Sequence, residues 1–588
     1  MNALDLDIHP CSFLTRAAGL ERPIGFESLP IELDHLIADE IGADAITLSA
    51  LTLVSRKLYD AFNQELFRSV NRAEALVTLA SSQNERYPLQ NSHPATFVKH
   101  LNIWVPHKSY DPPSNRKEVK LLRIVERYLP LALRNISVYG QKAALRSLMI
   151  DLFIGTTSFA KLVGNIDEEK QAFAALREVS LRCCFLVSDF RQSLARLRMA
   201  LGPSLQSIEL LRPLEGEADP RLFSKILGQI GERCGNLTRL CIELPDQPQQ
   251  TFRNLQTVFT SSTFCFPSLR VFSFTDVRFS RPEDISQVVD ITSFLRRHPG
   301  IEELEYQCLY EISLVGILPK LTRFCGFSSE AVDVCGSYEG MRPLETIVIS
   351  LNRGDELQRT ELVAALRKVP TVRRLIVQDT WDHHFYVHGL NSLNIRSIVE
   401  ACPNLTHLQC TFDVNATEKL QQNLCVIGSL STLQHLKLDT VKSFDKCIQD
   451  AYGFMTFQAE DMLSFVESSG QELMLAIGHA FGRHQAFQTA LVVIFGWFGP
   501  LIGTIHSPPI ELRFAISNEH DGFYIEDQND NKEWDFGTFT RRAPGCDCVR
   551  YLATEREIGD IIFHSPSRVK YSGSLQLHGN LDNRGLQA

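Results

Sequence analysis

The sequence predicts an α/β solenoid, with a parallel sheet on its concave side and helices on its convex side, preceded by a small all-α N-terminal domain. Three observations predict it. A short pattern, L-x-x-L-x-[L/I/F/V/Y/C], starts at Leu145, Leu176, Leu205, Leu237, Leu269, Ile301, Leu321, Leu344, Val372, Leu405 and Leu433, a mean spacing of about 29 residues. Apolar residues at helical spacing precede several of these starts. Residues 24–70 lack the pattern and carry helical spacing alone.

The N-terminal segment comes first in the chain. Ser28 reads as an N-cap and Pro30 sits in the first turn, where its missing N–H leaves no bond unmade. Glu32 favours the positive end of the helix dipole. Leu33, Leu36, Ile37 and Ile41 follow helical spacing up to Gly42; Leu48, Leu51 and Val54 start a second helix, and Leu58, Tyr59, Phe62, Leu66 and Phe67 a third. A pack of this size is marginal alone and leans on a neighbour or a partner.

A weak copy of the pattern at Val98, Leu101 and Ile103 opens the repeats. In each copy the last two apolar positions are two residues apart, as in Leu240 and Ile242, Leu304 and Tyr306, or Leu436 and Leu438, which is the period of a half-buried strand. Upstream, Ile285 to Leu295, Leu362 to Val369 and Leu393 to Val399 follow the helical period. Pro203, Pro267, Pro299, Pro319, Pro370 and Pro403 lie two residues before the pattern, where proline stops the helix and favours extended backbone. Each unit therefore reads helix, turn, strand, and stacked units bury one continuous core. The short steps around Leu321 and Leu344 leave room for a loop or a 3₁₀ turn in place of a full helix. The array resembles the leucine-rich-repeat family, and Cys234-x-x-Leu237-x-x-Leu240-x-Ile242 and Cys402-x-x-Leu405-x-x-Leu408-x-Cys410 resemble its cysteine-containing subtype, although no regular Asn follows the strand.

Beyond residue 440 the pattern stops. Phe454 to Phe487 reads as mostly helical, Ala486 to Ile505 as a buried helix ending near Gly496, and Ile510 to Ile516 as a strand. Ala486 to Ile505 is uncharged and just reaches membrane-spanning length, but Pro500 and its glycines interrupt it, so no membrane span is expected. The expected organisation is a disordered N-terminus (1–23), a helical domain (24–70), a degenerate repeat array (71–440), a helical insertion with a C-terminal repeat or cap (441–568) and a disordered tail (569–588).

Composition narrows the function classes. A net charge of -10 argues against a partner held through phosphates, so no nucleic acid is expected. The 15 cysteines are scattered, many of them on or beside buried pattern positions, reading as reduced thiols and a cytoplasmic or nuclear setting. Asp5 and Asp7 leave no basic stretch for a signal peptide. No phosphate loop, dinucleotide fingerprint, H-E-x-x-H or G-x-S-x-G occurs, so neither an enzyme nor a cofactor is expected. Asp382, His383, His384 and His388, and Cys546 with Cys548, lack the spacing of a metal site.

The N-terminal helices resemble an F-box. Leu29-Pro30-x-Glu32-Leu33-x-x-x-Ile37-x-x-x-Ile41 matches the opening of that motif, Leu51-x-x-Val54-Ser55-Arg56 its middle and Leu66-Phe67 its end; Tyr59 stands where a Trp is common. An F-box followed by leucine-rich repeats is similar to the substrate receptors of SCF-type ubiquitin ligases. That resemblance implies docking on a Skp-type adaptor, and through it a cullin scaffold, by Leu29, Pro30, Leu33, Ile37, Leu51, Val54 and Leu58, some of which must instead hold the helices together. It also implies an unidentified protein substrate on the concave face. Strand residues between the buried positions point there, among them Arg239, Glu243, Glu303, Glu305, Arg323, Arg374, His407 and Lys437. The alternative is a repeat scaffold without a ligase role, its N-terminal helices serving as a cap.

Overall fold

The structure is a computed structural model of the 588-residue chain. It describes residues 29–41, 45–81, 93–104, 116–140, 145–151, 173, 175–182, 201–211, 222–244, 250–276, 289–308, 311–336, 342–351, 356–379, 395–412, 417–443, 447–449, 455–457, 473, 476–481, 484, 486–497, 510–516, 549–552, 561–563 and 569–571. Two compact units result, Met1–Phe185 with Arg191–Ser204, and Leu186–Phe190 with Leu205–Ala588.

The first unit opens with three helices, α1 (Ile31–Ile41), α2 (Ala45–Thr52) and α3 (Arg56–Leu66). Their apolar stripes meet in a small core of Ala38, Leu48, Leu58 and Phe62, with Ile37, Ile41, Leu51 and Leu66 packed around it. Pro30 lies just ahead of α1, its carbonyl accepting from the Leu33 and Asp34 N–H groups. Ser55 caps α3 by accepting from the Leu58 N–H. Buried Asp34 is answered by the Lys57 ammonium at 3.0 Å, which also donates to the Leu29 carbonyl, so α1 and α3 are tied by charge as well as packing. The helices lead into four parallel strands, β1 (Ser69–Val70), β2 (His100–Trp104), β3 (Ser147–Asp151) and β4 (Glu178–Arg182). Between them lie the short α4 (Ala75–Leu79) and the 24-residue α5 (Arg116–Tyr139), which the spacing did not announce. Asn135 on α5 donates to the Leu79 and Ser81 carbonyls and so closes the end of α4.

The second unit is a ladder. Strands β5 (Ser207–Leu211), β6 (Arg239–Leu244), β7 (Val271–Asp276), β8 (Glu303–Gln307), β9 (Arg323–Phe327), β10 (Thr346–Leu351), β11 (Arg374–Asp379), β12 (His407–Phe412) and β13 (His435–Ser443) pair in parallel, each with the next. At the foot of each strand two successive N–H groups converge on one carbonyl of the preceding repeat: Arg270 and Val271 on Thr238, Glu302 and Glu303 on Arg270, Thr406 and His407 on Arg373. A threonine reinforces the joint where the strand follows Leu-Thr. The hydroxyls of Thr238, Thr322 and Thr406 donate to the carbonyls of Gln206, Glu302 and Arg373. This is the stacking of a repeat solenoid, each unit resting on the one before it.

Helices α6 (Leu222–Arg233), α7 (Gln250–Thr260), α8 (Thr292–Arg297), α9 (Ser328–Gly336), α10 (Glu356–Leu366), α11 (Ile395–Ala401) and α12 (Thr417–Ile427) lie between the strands. Under β6 to β8 the core is aromatic. Phe294 meets Phe259, Phe264, Phe272 and the His298 ring at centroid distances of 5.5, 5.5, 4.8 and 4.1 Å. His298 is buried, with Nε2 accepting from the Phe266 N–H and Nδ1 against the Phe294 carbonyl. Those partners fix the neutral ring, and burial lowers its pKa.

The short steps resolve differently from the expectation. Residues 311–320 hold no helix, but the next step contains α9, because Ser328 follows β9 without a connecting loop. Three polar groups, of which Glu330 and Arg342 are buried and Asp333 is half-buried, fasten segment 311–318 in place of a helix. Glu330 accepts from the Ile312 N–H, Asp333 from the Leu314 N–H and Ser313 hydroxyl, and the Arg342 guanidinium donates to the Leu314, Ile317 and Val334 carbonyls. Gly326 on β9 is required: a Cβ there would stand 2.8 Å from the Tyr306 carbonyl oxygen.

Two helical readings beyond residue 440 are corrected. Residues 489–497, read as a buried helix, form strand β16 (Thr489–Trp497), parallel to β13. Its run of Thr489, Val492, Val493 and Ile494 favours extended backbone, and the open edge of β13 supplies partners. Met455–Phe457, read as helical, pairs as β15 with β14 (Cys447–Gln449) in an antiparallel hairpin. The strand expected at Ile510–Ile516 is present as β17, antiparallel to β16 and followed by β18 (Val549–Leu552). Strands β19 (Ile561–Phe563) and β20 (Val569–Tyr571) form a separate antiparallel pair. Among the described residues no helix is long and apolar enough to cross a membrane.

Candidate functional site

Alternation divides each strand of the second unit into a helix-covered side and an open side. In β8, Leu304 and Tyr306 are buried while Glu303, Glu305 and Gln307 are half-buried. The register then aligns open-side residues into rows across the sheet. One row runs Ser207, Arg239, Val271, Glu303, Arg323, Thr346, Arg374, His407, His435, Thr489. The next runs Glu209, Cys241, Ser273, Glu305, Cys325, Val348, Ile376, Gln409, Lys437.

From β5 to β9 this face is acidic and internally paired. Arg239 Nε meets Glu209 at 3.0 Å and Arg323 meets Glu303 at 3.6 Å. Glu305 accepts from the Ser273 hydroxyl at 3.0 Å. Cys241 and Cys325 lie in the same row yet are buried beneath the longer side chains, which pushes both thiols up to about 11. At that value they remain protonated and unreactive.

From β11 to β13 the face is cationic. A cleft of about 310 Å³ is lined by Arg374, Ile376, His407, Gln409, His435, Lys437 and Thr489. The His407 and His435 rings lie 4.4 Å apart, 38° from parallel. His407 Nδ1 pairs with the Thr406 hydroxyl and His435 Nδ1 with that of Thr489. Burial first, and then positive neighbours, lower both histidine pKa values: His435 and Arg374 act on His407, Arg374 on His435. Such a face can pair with charged and hydrogen-bonding groups of a partner.

The eight residues expected on the recognition face therefore fall into two groups. Arg239, Glu243, Glu303, Glu305 and Arg323 lie on β6, β8 and β9, and Arg374, His407 and Lys437 around the cleft. The same strand alternation places Gln409 and His435 on that face; the lining residue it missed is Thr489, because its segment reads as a helix and only the register of β16 against β13 brings it beside His435.

In the first unit the seven residues implied by the F-box resemblance divide by burial. Leu58 is fully buried in the helix core; Leu29, Ile37 and Leu51 are half-buried; Pro30, Leu33 and Val54 are exposed. Leu36 and Leu53 are also exposed, at 58% and 85%, and belong with Leu33 and Val54 as apolar side chains facing water. Ser28 and the segments carrying Asp382 to His388, Cys183 with Cys184, and Cys546 with Cys548 lie outside the described residues. Nine of the described cysteines, Cys425 among them, are free thiols.

No protein-family model matches the chain, and no curated protein matches it by sequence. Solved structures similar to it include the leucine-rich repeat-containing protein LegL7 from Legionella pneumophila, at 14% identity over 60% of this chain and 83% of that one, with a TM-score of 0.25. A protein from Bacteroides fragilis shows 13% identity over 56% and 74% of the two chains, also at 0.25. The repeat class of this chain rests on its own ladder.

Proposed function

We propose that the chain is a protein-recognition scaffold that holds one partner on the open face of its repeats and a second through its N-terminal helices. On the F-box resemblance, the second partner is a Skp-type adaptor bound to a cullin, and the chain is the substrate receptor of an SCF-type ubiquitin ligase. The observation that supports the second contact is the set Leu33, Leu36, Leu53 and Val54, large apolar side chains left in water on a three-helix pack whose core is otherwise closed. Exposed apolar groups of this kind mark protein contacts. Catalysis would then be proximity alone: the receptor raises the local concentration of a target lysine near the ubiquitin-loaded enzyme.

The test is capture of a purified Skp-type adaptor by the full-length chain. Leu36→Glu and Val54→Glu should abolish capture while leaving the melting temperature unchanged, because both positions are exposed. Leu58→Ala should destabilise the helices by about 2–5 kcal/mol through its cavity. If the wild-type chain does not capture the adaptor while a control F-box protein does, the ligase reading fails and the repeat scaffold, capped by its helices, remains.

A further inference from the structure

Helix α5 of the first unit turns one row of positive charge to solvent. At about 100° of rotation per residue, Lys120, Arg123, Leu131 and Arg134 all fall within about 40° of Arg127. Successive members are three or four residues apart, so the row offers one side chain per helical turn over about 21 Å. All five are exposed, Leu131 at 43%. The opposite side of the helix carries Val125, Leu129, Leu133 and Ile136, all buried. The apolar face of α5 is therefore spent on its own unit, and the face left in water is cationic.

Among the described residues no ion pair engages Lys120, Arg123, Arg127 or Arg134. Arg127 lies over the ring of its neighbour Tyr128, at 5.3 Å from the centroid. Exposed Glu126 stands to one side of the row, about 100° round the axis from Arg127, and has a partner of its own. Elsewhere the protein answers its arginines: Arg68 meets Glu65, Arg239 meets Glu209 and Arg323 meets Glu303. Exposed helices ordinarily mix signs at three- and four-residue spacing, because like charges there repel. The free α5 carries that repulsion along its whole outer face.

Three kinds of partner can answer such a row, and two fit it poorly. A helix lying on a membrane needs an apolar face free to enter the lipid, and that of α5 is buried. A nucleic acid calls for a broad basic footprint, whereas this row is one helix face wide on a chain of net charge -10. An acidic helix fits on both counts. Carboxylates at the same three- and four-residue spacing meet the cations turn by turn. Three of the four cations are arginines, whose planar fork takes a carboxylate in two parallel hydrogen bonds.

We propose that the exposed face of α5 docks an acidic α-helix of a partner protein, its aspartate or glutamate carboxylates paired with Lys120, Arg123, Arg127 and Arg134 and one apolar side chain set on Leu131. This is a third contact surface, beyond the open face of the repeats and the N-terminal helices, and it rests on neither.

The probe is a fluorescein-labelled, alanine-rich peptide of about 18 residues, long enough as a helix to span the row, with Glu at the row's spacing and one Leu. It is titrated with the full-length chain and followed by anisotropy. One companion carries Gln in place of Glu. Another keeps the composition but sets Glu at every second position, which spreads the charge round the helix. Phosphatidylserine-containing vesicles and a short DNA duplex are the further arms. The Glu peptide should bind, and weaken with added salt. Arg123→Gln with Arg127→Gln should lose at least about tenfold, while Arg123→Lys with Arg127→Lys should keep part of the affinity because the charge remains. Both positions are exposed, so the melting temperature should stay that of the parent, which separates a lost contact from a lost fold. Leu131→Ala should lose about threefold. Arg296→Gln, at an exposed arginine of α8 in the other unit, should change nothing. Failure of the Glu peptide to bind, equal binding of the Gln or the respaced peptide, or indifference to the Arg123 and Arg127 substitutions would each overturn the proposal. So would vesicles or duplex binding more tightly than the Glu peptide through the same arginines. Adaptor capture reads out separately through Leu36 and Val54, so either reading can fail while the other stands.

Discussion

The acidic stretch of the open face, β5 to β9, and the cationic stretch, β11 to β13, share one ladder and one set of strand positions, yet they treat charge in opposite ways. In the acidic stretch each arginine falls beside a glutamate of a neighbouring strand, Arg239 by Glu209 and Arg323 by Glu303. In the cationic stretch the same rows set Arg374 beside His407 and His407 beside His435. Like charges opposite one another across strands destabilise a sheet by a few tenths of a kcal/mol to about 1 kcal/mol. The first arrangement is self-satisfied. The second sets cationic and imidazole side chains side by side over the packing beneath. A regular scaffold therefore sets the geometry, and the choice of residue at equivalent rungs sets what the face can bind.

The largest expected effect separates the two stretches by their cores. Phe294→Ala removes the ring on which the aromatic core under β6 to β8 converges, and should cost about 3–5 kcal/mol. Because repeats contact mainly their neighbours, hydrogen exchange should rise in β7 and β8 well before β12 and β13. Equal loss of protection in both would show that the stretches fold as one cooperative block.

Glu330, in the seam between them, gives the next effect. Burial pushes its carboxyl up to about 7 from an ordinary value of about 4.5. Its contribution to stability is full below about pH 4.5, falls as the unfolded chain ionises, and is lost once pH passes about 7, a change on the order of 3 kcal/mol. Glu330→Gln keeps an acceptor for the Ile312 N–H and cannot ionise, so thermal melting of the variant should lose this descending slope and lie above the parent at pH 8. Identical slopes in parent and variant would exclude Glu330 as the source.

Smaller effects test the charge pattern itself. A double-mutant cycle on Arg239 and Glu209 should give a coupling of about 0.2–1 kcal/mol, as for part-exposed pairs. Arg374→Gln should cost nothing, and should stabilise slightly at pH values where His407 is protonated. A thiol reagent should label exposed Cys425 rapidly in the native protein and leave Cys241, Cys325, Cys335 and Cys402 unlabelled, since burial holds those four at about 11 to 12.

Much of this fold was legible because its determinants are local. The strand starts, the proline-marked turns and the three N-terminal helices follow from spacing alone. What escaped has particular causes. Strand β16 repeats the pattern as Phe487, Ala490 and Val492, all buried, but alanine replaces the usual leucine and the preceding hairpin breaks the spacing. The α9 step was misjudged because a helix starting directly at the end of β9 needs fewer residues than the average unit. Burial also crossed the alternation: Cys241, Cys325 and Val348 sit on the open side yet are buried, since their neighbours in the row cover them.

By itself the sequence determined the class of the chain, helix–turn–strand units in series with a helical segment ahead of them, because periodicity and turn residues act over a few positions. Only the tertiary structure decided which residues become neighbours. His407 meets His435 across 28 residues of chain, and Glu330, Asp333 and Arg342 converge on a segment that has no helix of its own. The division of the N-terminal helices into core, at Leu58, and exposed apolar surface, at Leu36 and Leu53, is of the same kind. Spacing shows that a residue is apolar and in phase, whereas burial depends on which other helix arrives to cover it.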